Sequence, residues 1–315
     1  MSKGDLSFEK FMQLCLYHPT LGYYTKARKR IGLNQEADFY TASSSNPVFG
    51  ELIIAACKDL LKDKPIGDYT FVELGAERTL DNPAKANGIL SSLTHPFKEV
   101  ISIGNNDQMS LEGPCVVFSN ELFDAQPFRR FKFINNQWRE LGVSLRDGIL
   151  CEIELPTPVT TDYLPKSAPE GYHIDSPELS VALLKKITSQ PWSGLFIACD
   201  YGKSWENLIH ETPQGTARAY HHHTQSNTLL ANPGDQDLTC HVCWDWLMNA
   251  LKEAQFDSVS LQSQEAFFVN HSGSWISAEI AKEAGQFSPK KRSLMQLIHP
   301  SHLGAKFQII NASRS

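Results

Sequence analysis

Long apolar runs, an excess of basic residues and internal repeats are all missing from this 315-residue chain, and each absence removes a class of function. No stretch approaches the roughly 20 apolar residues that a membrane-spanning helix needs. Lys and Arg number 29 against 35 Asp and Glu, a formal charge of −6, so the chain offers no basic footprint for a nucleic-acid backbone. A basic protein partner suits that charge better. The first ten residues have neither the apolar centre of a secretion signal nor the Arg-rich, acid-poor character of a transit peptide, which predicts a cytoplasmic protein without a membrane role. The seven cysteines are odd in number and scattered, several of them inside apolar runs, so they form no disulfide framework and fit a reducing compartment. Cys240 and Cys243 are separated by two residues, but no second such pair follows at zinc-ribbon distance and no histidine pair has finger spacing, which favours packing over metal.

What is present is a large hydrophobic fraction, 41%, punctuated by short β-forming runs that stop at polar or glycine residues. Residues 69–74 end at Gly75, residues 100–103 at Gly104, and residues 192–200 at Asp200-Tyr201-Gly202. The run Cys115-Val116-Val117-Phe118 is followed by Asn120-Glu121-x-x-Asp124, polar groups just beyond the carboxyl end of a buried strand, where open α/β sheets bind their ligands. Glu121 and Asp124 are three apart, so a helical turn would place both carboxylates on one face, while Asn120 would equally serve as that turn's cap.

Helical periodicity marks residues 7–17, 48–62, 178–186, 244–254 and a stretch around 277–284, and late strands are expected at 258–262 and 306–311. Two alternating runs around Asn135-Asn136 read as a β-hairpin, extended by residues 149–154. Residues 203–240 contain few apolar runs and read as a long loop, functional or mobile.

The stretch Asn120-Glu121-x-x-Asp124-Ala125-x-Pro127 resembles a segment of the MidA-like methyltransferases, a family whose mitochondrial member methylates a protein arginine and assists complex I assembly. Further likeness lies in Tyr17-His18-Pro19-x-x-Gly22-Tyr23-Tyr24, Asp38-Phe39-Tyr40-Thr41 and Phe49-Gly50-Glu51. Downstream, Asp200-Tyr201-Gly202, Pro233-Gly234-x-x-Asp237-Leu238-Thr239-x-His241-Val242 and His299-Pro300-Ser301-His302-Leu303-Gly304 follow in the family's order. The resemblance implies an α/β chain with the doubly wound, Rossmann-like sheet of class I methyltransferases. Residues 1–68 would form an N-terminal helical extension and 69–315 the methyltransferase-like domain, with an inserted β-arm near 129–155 and a long loop near 203–240.

By the same resemblance, Thr41, Glu73, Gly75, Gly104 and Asn120 would hold S-adenosylmethionine, and Glu121 with Asp124 would act on a protein substrate, at arginine. His223, Asp237, Thr239 and His241 would belong to a loop over the active-site edge. The chain departs from the family at three places. Ala42-Ser43-Ser44 stands where the family has Ser-Pro-Glu, and Glu73-Leu-Gly-Ala-Glu-Arg-Thr-Leu80 retains one of three turn glycines. Gly104-Asn105-Asn106 replaces the acid expected at the next strand end, a role Asp107 fills only if its loop bends back. The departures keep a second possibility in play, a methyltransferase-like binding or assembly protein that has lost its cofactor.

Overall fold

The computed structural model describes residues 4–26, 47–78, 86–105, 107–222, 224–282 and 288–315. They form two compact units assembled from separated stretches of chain. One unit comprises 4–26, Phe123–Leu183 and Gly202–Leu247, and the other comprises the described part of 47–122 with Leu184–Tyr201 and Met248–Ser315.

The second of these units is built on a six-stranded sheet: β1 (Thr70–Leu74), β2 (Glu99–Ile103), β3 (Gly113–Asn120), β4 (Trp192–Asp200), β5 (Asp257–Ser263) and β6 (Gln308–Arg314). Its spatial order is β5-β6-β4-β3-β1-β2. The strands from β2 to β4 run parallel, and β6 runs antiparallel to both of its neighbours. Sequence explains the placement. β1, β3 and β4 are nearly continuous apolar runs that can be buried on both faces, as the centre of a parallel sheet requires. β2 alternates and exposes Ile101, which suits an edge. Strand order reverses between β1 and β3, the switch point at which such sheets open a ligand crevice at the strands' carboxyl ends.

Helices α1 (Pro47–Leu61), α2 (Gln264–Lys282) and α3 (Pro289–Ile298) pack on this sheet. Phe49 of α1 lies 6.2 Å from the Phe118 ring of β3 and 5.8 Å, edge to face, from Phe268 of α2. Phe118 in turn stacks on Phe71 of β1 at 5.8 Å. The helix expected around 277–284 begins at Gln264, directly after β5, with the Ser263 hydroxyl accepting from Ala266 N at 3.2 Å. No glycine or proline separates strand from helix there, so the sequence carries no punctuation at the boundary.

The other unit contains the β-arm. Arg129–Ile134 and Gln137–Arg146 form the expected hairpin, with Ile134 opposite Gln137 and positive φ at Asn135 and Asn136, as a two-residue type I′ turn demands. Ile149–Glu154 and Leu6–Ser7 pair with Gln137–Arg146, and His173–Ser176 pairs with Arg129–Ile134. The helix Phe8–Tyr17 follows, capped by the Ser7 hydroxyl on Lys10 N at 3.1 Å, and buries Phe8, Phe11, Met12, Cys15 and Leu16.

The stretch 203–240, expected as a loop, is instead structured. It holds a helix (Trp205–His210) capped by Ser204 and a three-stranded sheet of Thr224–Ser226, Arg218–His221 and Asp237–Thr239. Strands of three or four mostly polar residues are too short to show a period, which is why they escape a reading based on apolar alternation. Among the described residues, no helix is long and apolar enough to cross a membrane.

Candidate active site

Register in the parallel sheet decides which side chains share an edge. Leu74 is level with Ile103 on one side and Ser119 on the other, and Asn120 with Cys199. Gly75, Gly104 and Asn120 therefore stand in a row at the carboxyl ends of β1, β2 and β3, with Glu73 two residues before Gly75. Four of the five sequence-predicted cofactor residues are brought together in this way. The fifth, Thr41, lies outside the described residues, as do residues 42–44 and His223.

Glu73 is buried, and its Oε2 accepts from Ile89 N at 2.7 Å. Burial pushes its carboxyl up to about 8, against the one lowering influence of that N–H. Gly75 turns with φ +79°, and the N–H groups of Gly75 and Ala76 both donate to Ile103 O, at 2.9 and 3.0 Å, which ties the end of β1 to the end of β2. A Cβ on Gly75 would come 2.9 Å from Leu122 Cδ1, so the turn is filled from that side by a leucine methyl.

After Gly75 the described chain forms no glycine-rich turn of the kind the resemblance implies. Glu77 and Arg78 pair as a short antiparallel ladder with Asn87 and Ala86. The loop after β2 does bend back: Asp107 N donates to Gly104 O at 3.1 Å, and Gly104 N donates to Asp107 Oδ2 at 2.8 Å. A carboxylate is thereby returned to the strand end that lacks one in sequence. Its other oxygen is paired with the Arg78 guanidinium, a partner that sequence reasoning missed. The available signal was spacing alone, an aspartate three residues after a strand-ending glycine.

Asn120 is the last residue of β3 and not a helix cap, and its Nδ2 donates to Glu121 Oε1 at 2.9 Å. Glu121 takes a left-handed backbone, φ +51°, while its N–H continues the ladder to Cys199 O at 3.0 Å. The expected helical turn carrying Glu121 and Asp124 on one face is therefore not formed, because the strand ladder holds Glu121 in a conformation that a right-handed helix excludes. Glu121 is half-buried.

The other unit holds Asp124, almost fully buried, with its backbone oxygen accepting from Cys240 N at 2.9 Å. Several of the sequence signatures meet there. Tyr17 OH donates to Ala125 O, and Tyr24 OH donates to Asp237 Oδ1, both at 2.9 Å, with the two tyrosine rings stacked at 5.5 Å. Burial, together with the carboxylates of Asp237 and Asp124, drives both phenols far above their ordinary range. Gly234 is bare because Leu21 O would lie 2.4 Å from its Cβ, and Lys26 closes the same corner by pairing with Asp235 at 2.7 Å. Thr239 ends its strand, and His241 N donates to Thr216 Oγ1 at 3.1 Å. Burial lowers the His241 imidazole to about 4. Cys240 and Cys243 are both buried.

Comparison with known proteins adds the family. Residues 70–261 match the model of an S-adenosyl-L-methionine-dependent methyltransferase family, well over half of the chain. The mitochondrial protein arginine methyltransferase NDUFAF7 of Danio rerio is 23% identical, covering 100% of this chain and 85% of its own. The Xenopus laevis protein of the same name is 21% identical over 98% and 81%. Among solved structures, a candidate methyl transferase of Burkholderia thailandensis bound to S-adenosyl-homocysteine superposes with a TM-score of 0.83 at 23% identity, covering 99% of this chain and 89% of that one. A native crystal structure of a Burkholderia thailandensis protein of the same superfamily gives a TM-score of 0.78. With the parallel sheet, its switch point and the ordered signatures already in place, the match over residues 70–261 shows that this chain belongs to the MidA-like family of S-adenosyl-L-methionine-dependent methyltransferases.

Proposed function

We propose that this chain transfers a methyl group from S-adenosylmethionine to a protein substrate, at an arginine side chain. The observation that carries the reading is the row of Gly75, Gly104 and Asn120 at the switch point, with Glu121 immediately beyond. The residues present fit a nucleoside cofactor. Asp107 supplies a carboxylate at the strand end for ribose hydroxyls, and the positive φ of Gly75 turns the chain sharply at the end of β1. S-adenosylmethionine supplies an electrophilic methyl on a sulfonium, so the protein's part is to align the nucleophile and manage its charge. A carboxylate such as Glu121 can accept two guanidinium N–H bonds and fix the nitrogen's direction. The arginine reading draws on the names of the relatives and on the acidic balance of the chain.

Calorimetric titration with S-adenosylmethionine and S-adenosylhomocysteine tests the cofactor, with binding expected at roughly −7 to −8 kcal/mol. Glu121→Gln should then lower turnover on an arginine-containing protein while cofactor affinity stays near wild type. No heat and no thermal shift at millimolar ligand would overturn the catalytic reading. That result would leave a second one, a methyltransferase-like assembly module. It has one observation in its favour: Arg78 and Leu122 place the chain's own side chains on the cofactor edge.

A further inference from the structure

We propose that Arg78 is a built-in competitor for the carboxylate of Asp107, so that a nucleoside gains its ribose contact here only by exchanging hydroxyls for a guanidinium. The inference rests on the methyltransferase reading and specifies which residue of this chain sets its cofactor affinity. Three observations lead to it.

First, Asp107 is fixed at the carboxyl end of β2 by its two-way turn with Gly104, beside the β1 turn whose N–H groups bond Ile103 O. In doubly wound sheets an acid beyond the first glycine turn accepts the ribose hydroxyls, and Asp107 is the described carboxylate that the fold returns to the end of β2. Second, one Asp107 oxygen receives Gly104 N while the other pairs with Arg78, so the oxygen not used by the turn is the one the guanidinium takes. Third, Arg78 is held close by design of the turn. The ladder with Ala86 sets its backbone, and its Nε lies 3.4 Å from where a Cβ on Gly104 would be. A Cβ at residue 104 would only touch the guanidinium, but it would crowd Ala76 O and Asp107 Oδ2, each at 3.2 Å.

The pair is also exchangeable. Its side chains are 37% and 34% exposed, so solvent reaches both partners and screens their attraction. A ligand with two adjacent hydroxyls can replace the guanidinium at Asp107 Oδ1, leaving Arg78 to turn into water. The long arginine stem makes that movement possible without disturbing the ladder.

The test is calorimetry with S-adenosylhomocysteine on the full chain and its variants. Arg78→Ala should tighten binding, up to about fivefold, the gain equivalent to an exposed ion pair. Asp107→Asn should weaken it by about tenfold or more, because a charged acceptor is lost. In the double variant the gain from Arg78→Ala should vanish. Wild-type affinity should rise with added salt, which loosens the ion pair, and that of Arg78→Ala should not. Adenosine against 2′,3′-dideoxyadenosine isolates the hydroxyls, and Arg78→Ala should improve only the former. Arg78→Lys, which keeps the charge, controls for folding and should stay near wild type. Unchanged or weaker binding by Arg78→Ala, with wild type binding normally, would overturn the inference and leave the methyltransferase reading intact. Failure of wild type and Arg78→Ala alike to bind S-adenosylhomocysteine would overturn both.

Discussion

The Glu73 carboxylate lies against the bare backbone of Gly88: a Cβ at Gly88 would come 2.2 Å from Glu73 Oε2 and 2.6 Å from Ser102 Oγ. The same carboxylate oxygen receives Ile89 N at 2.7 Å, so a backbone segment without a side chain closes over a buried acid. Gly88→Ala should therefore displace either the acid or the segment, costing about 1–3 kcal/mol as overpacking does. Urea denaturation monitored by circular dichroism measures it. A midpoint equal to wild type would show that the segment moves freely.

Glu73 also makes stability depend on pH in an unusual direction for a carboxylate. Its folded value of about 8 lies above the ordinary 4.5, so across that interval the folded chain holds a proton that the unfolded chain releases. Stability from this group is full below about pH 4.5, falls as pH rises through the window, and levels off above about 8. Glu73→Gln keeps an acceptor for Ile89 N and removes the titration. The variant should be more stable than wild type at pH 8, with the difference shrinking toward pH 5. Equal slopes of stability against pH for the two proteins would mean that Glu73 is ionised in the fold.

In the β-arm unit, Asp175 is wholly enclosed and satisfies three donors. Arg130 Nη1 pairs with one oxygen, while Thr216 N and Ala217 N reach the other at 2.7 and 2.8 Å. Gly215 must be bare there, since its Cβ would lie 2.2 Å from Asp175 Oδ2. Asp175→Ala strands two N–H groups and leaves the buried guanidinium, among the described residues, with Glu152 at 3.1 Å as its remaining ion-pair partner. The loss should be about 3–5 kcal/mol, enough to unfold a marginal unit at 37 °C. Replacing Arg130 and Asp175 together by methionine and leucine should cost less than Asp175→Ala alone. Chemical denaturation of the three proteins checks the order.

Much of this was legible from residues 1–315 read as text. The continuous apolar runs at β1, β3 and β4 determined buried parallel strands, because only a strand covered on both faces tolerates them. Asn135-Asn136 determined the hairpin, because those residues accept the left-handed backbone that its turn requires. The glycines and polar residues read at strand ends do stand together at the carboxyl edge of the sheet, and the ordered signatures named the family. Tertiary structure alone decided the rest. The polar strands between 203 and 240 exist because neighbours pair with them, an interaction with no local period. Glu121 left the expected helical turn because the ladder to Cys199 fixed its backbone. Arg78 met Asp107, 29 residues along the chain, because the register of β1 and β2 set their ends side by side. Local sequence dictates which backbone conformations are affordable, but long-range pairing selects among them and decides which charges meet.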